Sequence, residues 1–252
     1  MSSYAGKAGL VTGAGSGIGR AAALEFARRG AAVAVLDLDE GSARETVGLI
    51  AEEGGRAEAV AVDIADENSV QRAVTQVVAP FGRLDFAVNN AGIPSTGQVL
   101  TEMPVHEWEH VLRVNLTGTW LCLKYELPVM KQLGGGAIVN VASNGGLYAI
   151  PGAPAYVASK HGVVGLSKVA AVDYGPDNIR VNALCPALTK TTMFDGVVAS
   201  ADAQMAEQQA TVTPLRRLAD PEEVAAAAVW LCSPGASYIT GAVLSADGGR
   251  RA

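Results

Sequence analysis

The sequence predicts an α/β protein: a single doubly wound parallel β-sheet of about seven strands, flanked by helices on both faces. Three observations predict it. Short apolar runs alternate with segments of helical period along the chain. The first run, residues 8–12, is cut by Gly13-Ala14-Gly15-Ser16-Gly17-Ile18-Gly19 and passes straight into an Ala-rich helical segment. Several runs end in polar residues, as at Asp37, Asn89-Asn90 and Ser143, and open α/β sheets place their ligands at the carboxyl ends of strands.

A chain of 252 residues could fold as two small domains or one α/β domain. No linker-like stretch, charge block or repeat divides it, so residues 1–252 are read as one domain. Hydrophobic residues make up 49%, enough for a sizeable core. The 29 glycines have no period, which excludes collagen-like and low-complexity readings. A net charge of −6 argues against a partner made of nucleic acid. Cys122, Cys185 and Cys232 are too few and too dispersed for a disulfide framework or a thiolate metal site; each lies in an apolar segment and reads as a buried thiol. The first seven residues lack the apolar core of a signal peptide, and no apolar run approaches a membrane span. The expectation is a soluble, cytoplasmic protein with no membrane partner.

The elements follow in order. Residues 8–12 form a strand and 20–29 a helix ended by Gly30. Residues 31–36 form the second strand, ending at Asp37, and 40–53 a helix that Asp39 is suited to cap. A third strand over 57–62 ends in Asp63-Ile64; a helix over 67–79 and a fourth strand over 84–88 follow, closed by Asn89-Asn90-Ala91-Gly92. One long helix is expected from just after Pro104 to about residue 133. Residues 137–142 give the fifth strand, with a helix from about 155 to 174, and 178–184 give the sixth strand. Residues 193–213 carry an apolar face and read as a lid over the substrate. Asp220 caps a helix over 221–232 that has Pro221 at its first position, and 238–245 form the last strand.

Strand, glycine-rich turn and helix N-terminus together make an anion site, because free backbone amides and the helix dipole both favour a diphosphate. Gly13, Ser16, Gly17, Ile18 and Gly19 are its candidate contacts. Asp37 stands roughly 20 positions further on, placed to accept a hydrogen bond from a ribose 2′-hydroxyl and to repel a 2′-phosphate. Leu38 rather than an arginine follows it, and the turn holds no Lys or Arg, so NAD is expected rather than NADP.

A hydroxyl, a phenol and an ammonium converge further along, spaced Ser143-x12-Tyr156-x3-Lys160. Tyr156 and Lys160 lie one turn apart on one helix face, and Ser143 stands at a strand end. A free phenol titrates near 10, so serving as a base at neutral pH takes about 4 kcal/mol of preference for the phenolate. An ammonium and a nicotinamide cation within a few ångströms supply energy of that order.

On these motifs the chain resembles the short-chain dehydrogenase/reductase family, whose members carry the same triad behind a Gly-x3-Gly-x-Gly turn. The resemblance runs from residue 10 to 249. It implies a Rossmann-type NAD-binding domain and an NAD-dependent oxidoreductase that interconverts a secondary alcohol and a ketone. It makes Tyr156 the general base, Ser143 the group that orients the substrate oxygen, and Lys160 the group that lowers the phenol and holds the nicotinamide ribose. Asn115 becomes a fourth catalytic member, holding a water against Lys160. The resemblance also assigns Asp63 and Ile64 to the adenine, Asn90, Ala91 and Gly92 to the cofactor wall, and Pro186, Thr189 and Thr191 to the nicotinamide end and diphosphate. The family usually has Pro-Gly where this chain has Pro186-Ala187, which adds a methyl beside the nicotinamide or forbids a positive φ. A homotetramer pairing the helices that carry Asn115 and Tyr156 is implied too.

Candidate substrate-pocket residues are Ile93, Pro94, Leu147, Tyr148, Ile150, Ala187, Met193 and Phe194. They are mostly apolar, with no Lys or Arg placed to grip a carboxylate or phosphate, so a neutral or weakly polar secondary alcohol is expected. A 3-oxoacyl thioester reductase is the enzyme alternative, and a catalytically silent NAD sensor or scaffold is the alternative from another class. His106-Glu-Trp-Glu-His110 spells His-Glu-x-x-His. Trp108, Val111 and Leu112 set the core-facing side of that helix, leaving the histidines on its polar side, and no metal is expected.

Overall fold

The structure, a computed structural model, describes residues 4–95, 97–191, 193 and 213–251. Seven strands form one parallel sheet: β1 (Ala8–Thr12), β2 (Ala32–Asp37), β3 (Arg56–Ala61), β4 (Phe86–Asn89), β5 (Gly136–Val141), β6 (Ile179–Pro186) and β7 (Val243–Ala246). Their order across the sheet is β3-β2-β1-β4-β5-β6-β7. The direction of progress reverses between β1 and β4, and a crevice opens there beyond the strand ends. Among the described residues the helices are α1 (Gly17–Arg28), α2 (Glu40–Glu52), α3 (Glu67–Phe81), α4 (Val105–Leu112), α5 (Thr119–Gln132), α6 (Pro154–Tyr174) and α7 (Pro221–Cys232).

Successive side chains of a strand point to opposite faces, and both faces here are apolar. Val33 and Val35 join Phe26, Ile50 and Val229 in the layer under α1, α2 and α7. Ala34 and Leu36 join Val74, Leu127 and Ala171 in the layer under α3, α5 and α6. Phe26 and Phe86 stack with centroids 3.9 Å apart, and Tyr4 meets both edge-on while its hydroxyl donates to Val229 O. Burying each of these rings contributes about 1.5–3 kcal/mol.

Beyond shifts of one or two residues at several element ends, three features differ from the sequence reading. Helix α1 begins at Gly17, so the last two glycines of the turn lie in its first turn. The long helix expected from Pro104 is continuous, but residues Arg113–Gly118 are wound as a π-helix between α4 and α5. Strand β7 is only four residues long. The stretch before it turns at Gly241 (φ +70°); there Asn182 donates to Ile239 O and accepts the Ala242 N–H, while the Thr240 hydroxyl accepts the Val181 N–H of β6. Helix α7 starts as expected, with Asp220 and Glu223 forming a reciprocal capping box ahead of Pro221. Of the proposed lid 193–213, all but Met193 and Thr213 lie outside the described residues.

Candidate active site

At the switch point a cavity of about 230 Å³ opens along the carboxyl edge of the sheet. Ile18 from α1, Asn90, Gly92 and Ile93 beyond β4, and Ser143 and Asn144 beyond β5 line it. Tyr156 and Lys160 from α6 and Pro186, Ala187, Thr189 and Thr191 beyond β6 complete the ring, with Pro94, Ile150 and Met193 toward the mouth. Residues scattered over most of the chain thus reach one space.

Pro154 opens α6 at its first position, where its missing N–H is no loss. Tyr156 and Lys160 follow one turn apart on the cleft side. Lys160 is buried; its Nζ donates to Val141 O at 3.0 Å and lies 5.7 Å from the Tyr156 ring centroid. Ser143 caps a single 3₁₀ turn, Asn144–Gly146. Its Oγ accepts the Gly145 N–H and donates to Asn144 Oδ1, both at 3.0 Å. Burial pushes the Tyr156 phenol above its usual value, with a hydrogen bond from Ser143 opposing. Burial also pulls the Lys160 ammonium down to about 8. Burial thus shifts both groups toward their neutral forms, although an ammonium at about 8 keeps most of its charge at neutral pH.

Asn115 sits inside the π-helical turn. Its Oδ1 accepts the Ile93 N–H at 2.8 Å and its Nδ2 donates to Ile93 O at 3.0 Å, which fastens the loop after β4 to the helix. Its backbone carbonyl accepts the Thr119 hydroxyl at 2.8 Å. Gly92 fills the gap beside it: a Cβ there would come 2.9 Å from Asn115 Oδ1 and 3.5 Å from Lys160 Nζ.

The glycine turn forms a cradle that side chains would fill. Gly13 has φ +62°, and a Cβ on it would lie 2.9 Å from Ala91 Cα; one on Gly19 would lie 2.1 Å from Gly13 O. Asn90 staples the turn to β1 through Nδ2 bonds to Thr12 O and Gly13 O. Thr12 Oγ1 accepts the N–H groups of both Asn90 and Ala91. Asp37 Oδ2 accepts the Gly15 N–H at 2.8 Å, which fixes the carboxylate at the rim of the cradle with exposed Leu38 beside it. Donor-rich backbone at a helix N-terminus, with an acidic group at the far end, fits a dinucleotide.

Comparison with known proteins agrees with this geometry. A family model described as Enoyl-(Acyl carrier protein) reductase matches residues 13–251. A 2,5-dichloro-2,5-cyclohexadiene-1,4-diol dehydrogenase of Sphingobium indicum is 44% identical over 250 residues, covering 99% of this chain and 98% of the relative. The chain belongs to the short-chain dehydrogenase/reductase family. Among solved structures, levodione reductase superposes with a TM-score of 0.96 at 34% identity, with 98% of each chain covered. A 3-ketoacyl-(acyl-carrier-protein) reductase from Brucella melitensis, complexed with NADH, gives a TM-score of 0.91 at 37% identity, covering 99% of this chain and 100% of that one. As a member of this family the protein is an oxidoreductase that interconverts a secondary alcohol and a ketone with a nicotinamide cofactor.

The remaining positions predicted for this dehydrogenase fall as follows. Asp63 Oδ1 accepts the Ala65 N–H, and Ile64 is buried against Gly118 of the π-helical turn. Thr189 and Thr191 donate to the carbonyls of Ala187 and Thr189, and the Thr191 methyl approaches Gly17. Ala187 faces the cleft without strain: among the described residues only Asn178 and Arg216 combine a side chain with positive φ. Leu147 packs with Val163 and Val164, and Tyr148 bonds Asn144; neither is among the described cavity-lining residues. Phe194 lies outside the described residues. His106 and His110 are exposed on α4, and no group of three or more His, Cys, Asp or Glu among the described residues is arranged to hold a metal. Thr12 and Asn144 escaped the sequence reading, since each looked like an ordinary strand end or turn residue.

Proposed function

We propose that the protein is an NAD-dependent dehydrogenase of small, neutral cyclic secondary alcohols, acting in the cytoplasm as a homotetramer. The observation that carries the reading is that Ser143, Tyr156 and Lys160 line one cavity with Ile18 of the glycine turn, the turn to which the Asp37 carboxylate is fastened through Gly15. A bound nicotinamide supplies or accepts the hydride. Tyr156 takes the alcohol proton, Ser143 orients the reacting oxygen, and Lys160 favours the phenolate. The Asn115 side chain is committed to Ile93, so its backbone carbonyl is the group that holds a water toward Lys160. Asp37 supports NAD, because a 2′-phosphate would meet its carboxylate. The apolar walls given by Ile93, Pro94, Ile150, Ala187 and Met193, together with the cyclic diol in the name of the Sphingobium relative, support a cyclic substrate. Three free, buried cysteines suit a reducing compartment. Trp120, Val169 and Val172 are exposed on α5 and α6 and Gly165 has open space beside it, which supports pairing of these helices between subunits.

The test is absorbance at the NADH band with a panel of cyclohexanol, a cyclohexanediol, a linear secondary alcohol and a 3-oxoacyl thioester, run with NAD(H) and NADP(H). Turnover of the cyclic alcohols with NAD is expected. Preference for the thioester with NADPH would replace this reading with the acyl-reductase one, and binding of NADH without turnover would favour a sensor.

A further inference from the structure

The mouth of the cleft has two walls, and each comes from a different loop. Ile93, Pro94 and Ser95 follow β4, whereas Ile150 and Ala153 precede α6. The first wall is fastened at its base to Asn115, which bonds both backbone groups of Ile93. The second stands against the phenol: a Cβ on Gly145 would lie 3.0 Å from Ile150 Cδ1 and 3.3 Å from Tyr156 Cε1.

The tips of the two loops are joined. Ser95 Oγ donates to Gly152 O at 2.8 Å and accepts the Gly97 N–H at 3.3 Å. The backbones also meet directly. Gly97 and Gly152 both have positive φ, +80° and +70°, and a Cβ on Gly152 would lie 3.2 Å from Gly97 O. Glycine at both positions is what permits this approach. We propose that the joint is a latch that sets the width of the mouth, so that Ser95 and Gly152 are specificity-determining residues that limit the substrate to a single small ring. This rests on the reading of the cleft as an alcohol site. The cavity of about 230 Å³ is smaller than the roughly 300–1,000 Å³ of sites for drug-sized ligands, and a nicotinamide must share it. One ring reaches Tyr156 through the closed mouth. A second, fused ring would lie between the walls and requires the loops to part. Parted loops are a minor state, and a bulky alcohol binds only in proportion to that state's population.

The test compares kcat/KM for cyclohexanol with kcat/KM for decalol, a fused two-ring alcohol, using NAD. Ser95→Ala removes one hydrogen bond, which is worth about two- to tenfold in the population of the parted mouth. The decalol-to-cyclohexanol ratio should rise by that factor. Gly152→Ala, which drives a methyl at Gly97 O, should raise the ratio at least as much. Ser95→Thr keeps the hydroxyl and should keep the wild-type ratio. A ratio unchanged in Ser95→Ala, or shifted equally by Ser95→Thr, overturns the proposal. A wild-type protein that turns over neither alcohol overturns the functional reading instead. Amide hydrogen exchange over residues 97–102 and 150–153 of the full chain then decides the latch: faster exchange of both stretches in Ser95→Ala supports it, and unaltered exchange overturns it.

Discussion

Two buried polar clusters are built on neighbouring stretches of the same elements. One is the cleft, with Asn115, Ser143, Tyr156 and Lys160. The other lies deeper between β4, β5, α5 and α6. There Asn89 Nδ2 donates to Glu126 Oε2 and Asn140 Oδ1, both at 3.0 Å, and Asn140 Nδ2 donates to Ser167 Oγ at 2.9 Å. Burial acts alike in both: it raises Tyr156, lowers Lys160 to about 8, and lifts the Glu126 carboxyl to about 7. The difference is access. A ligand can enter the cleft and reverse the balance there, so its protons can move. Glu126 is fully buried and is not among the residues that line the cleft, so no ligand held there touches its proton. The comparison teaches that a perturbed titration marks a functional group only when a space adjoins it.

Three substitutions sharpen or break that contrast. The largest effect belongs to Tyr156→Phe, which should lower turnover about a hundred- to ten-thousandfold while NADH binding and the unfolding midpoint stay near wild type. Retained turnover, measured as NADH formation, would remove the phenol from the chemistry. Next is Glu126→Gln, which imitates the protonated acid. The folded chain keeps the Glu126 proton between its ordinary 4.5 and about 7 whereas the unfolded chain loses it, so wild-type stability should fall as pH rises across that window. The loss is on the order of 3 kcal/mol. Lys160 works in the opposite sense: its contribution is present above about 10.5 and is lost as pH falls through about 8. Denaturant unfolding at pH 5 and pH 7.5 should show Glu126→Gln flattening the lower window with kcat unchanged; an unaltered slope would mean the carboxyl is not held neutral. The smallest effect is Ser167→Ala, which strands the Asn140 amide and should cost about 1–2 kcal/mol of stability with no change in KM.

Most of the fold could be read from the chain because alternation of apolar runs with helical period carries over directly into strands and helices. The catalytic spacing could be read because one helical turn and one strand end fix it. What escaped has physical reasons. A π-helical turn shifts the helical phase by one residue, and over six residues that shift is invisible against side-chain variety. The sequence 238–242 is apolar enough for a strand, yet Tyr238 is fully exposed and Asn182 takes the backbone groups that a strand would use. Glu126 stands two residues from exposed Lys124, which pairs with Glu67 on the surface, and nothing in the sequence places it opposite Asn89. Asn144 follows Ser143 directly, and its partner Tyr148 becomes a neighbour only through the 3₁₀ turn.

The wide coil around Asn115 has a consequence for length. It holds one more residue than a regular turn, so it sets the angular offset between everything before Leu112 and everything after Thr119. Winding it as an ordinary spiral at its present length would swing Leu121, Leu123 and Leu127 round by about 100°, whereas deleting one residue along with the wide turn would leave them facing as they do. The extra residue is therefore what lets Asn115 step out of the regular spiral while the leucines beyond it still press on the sheet.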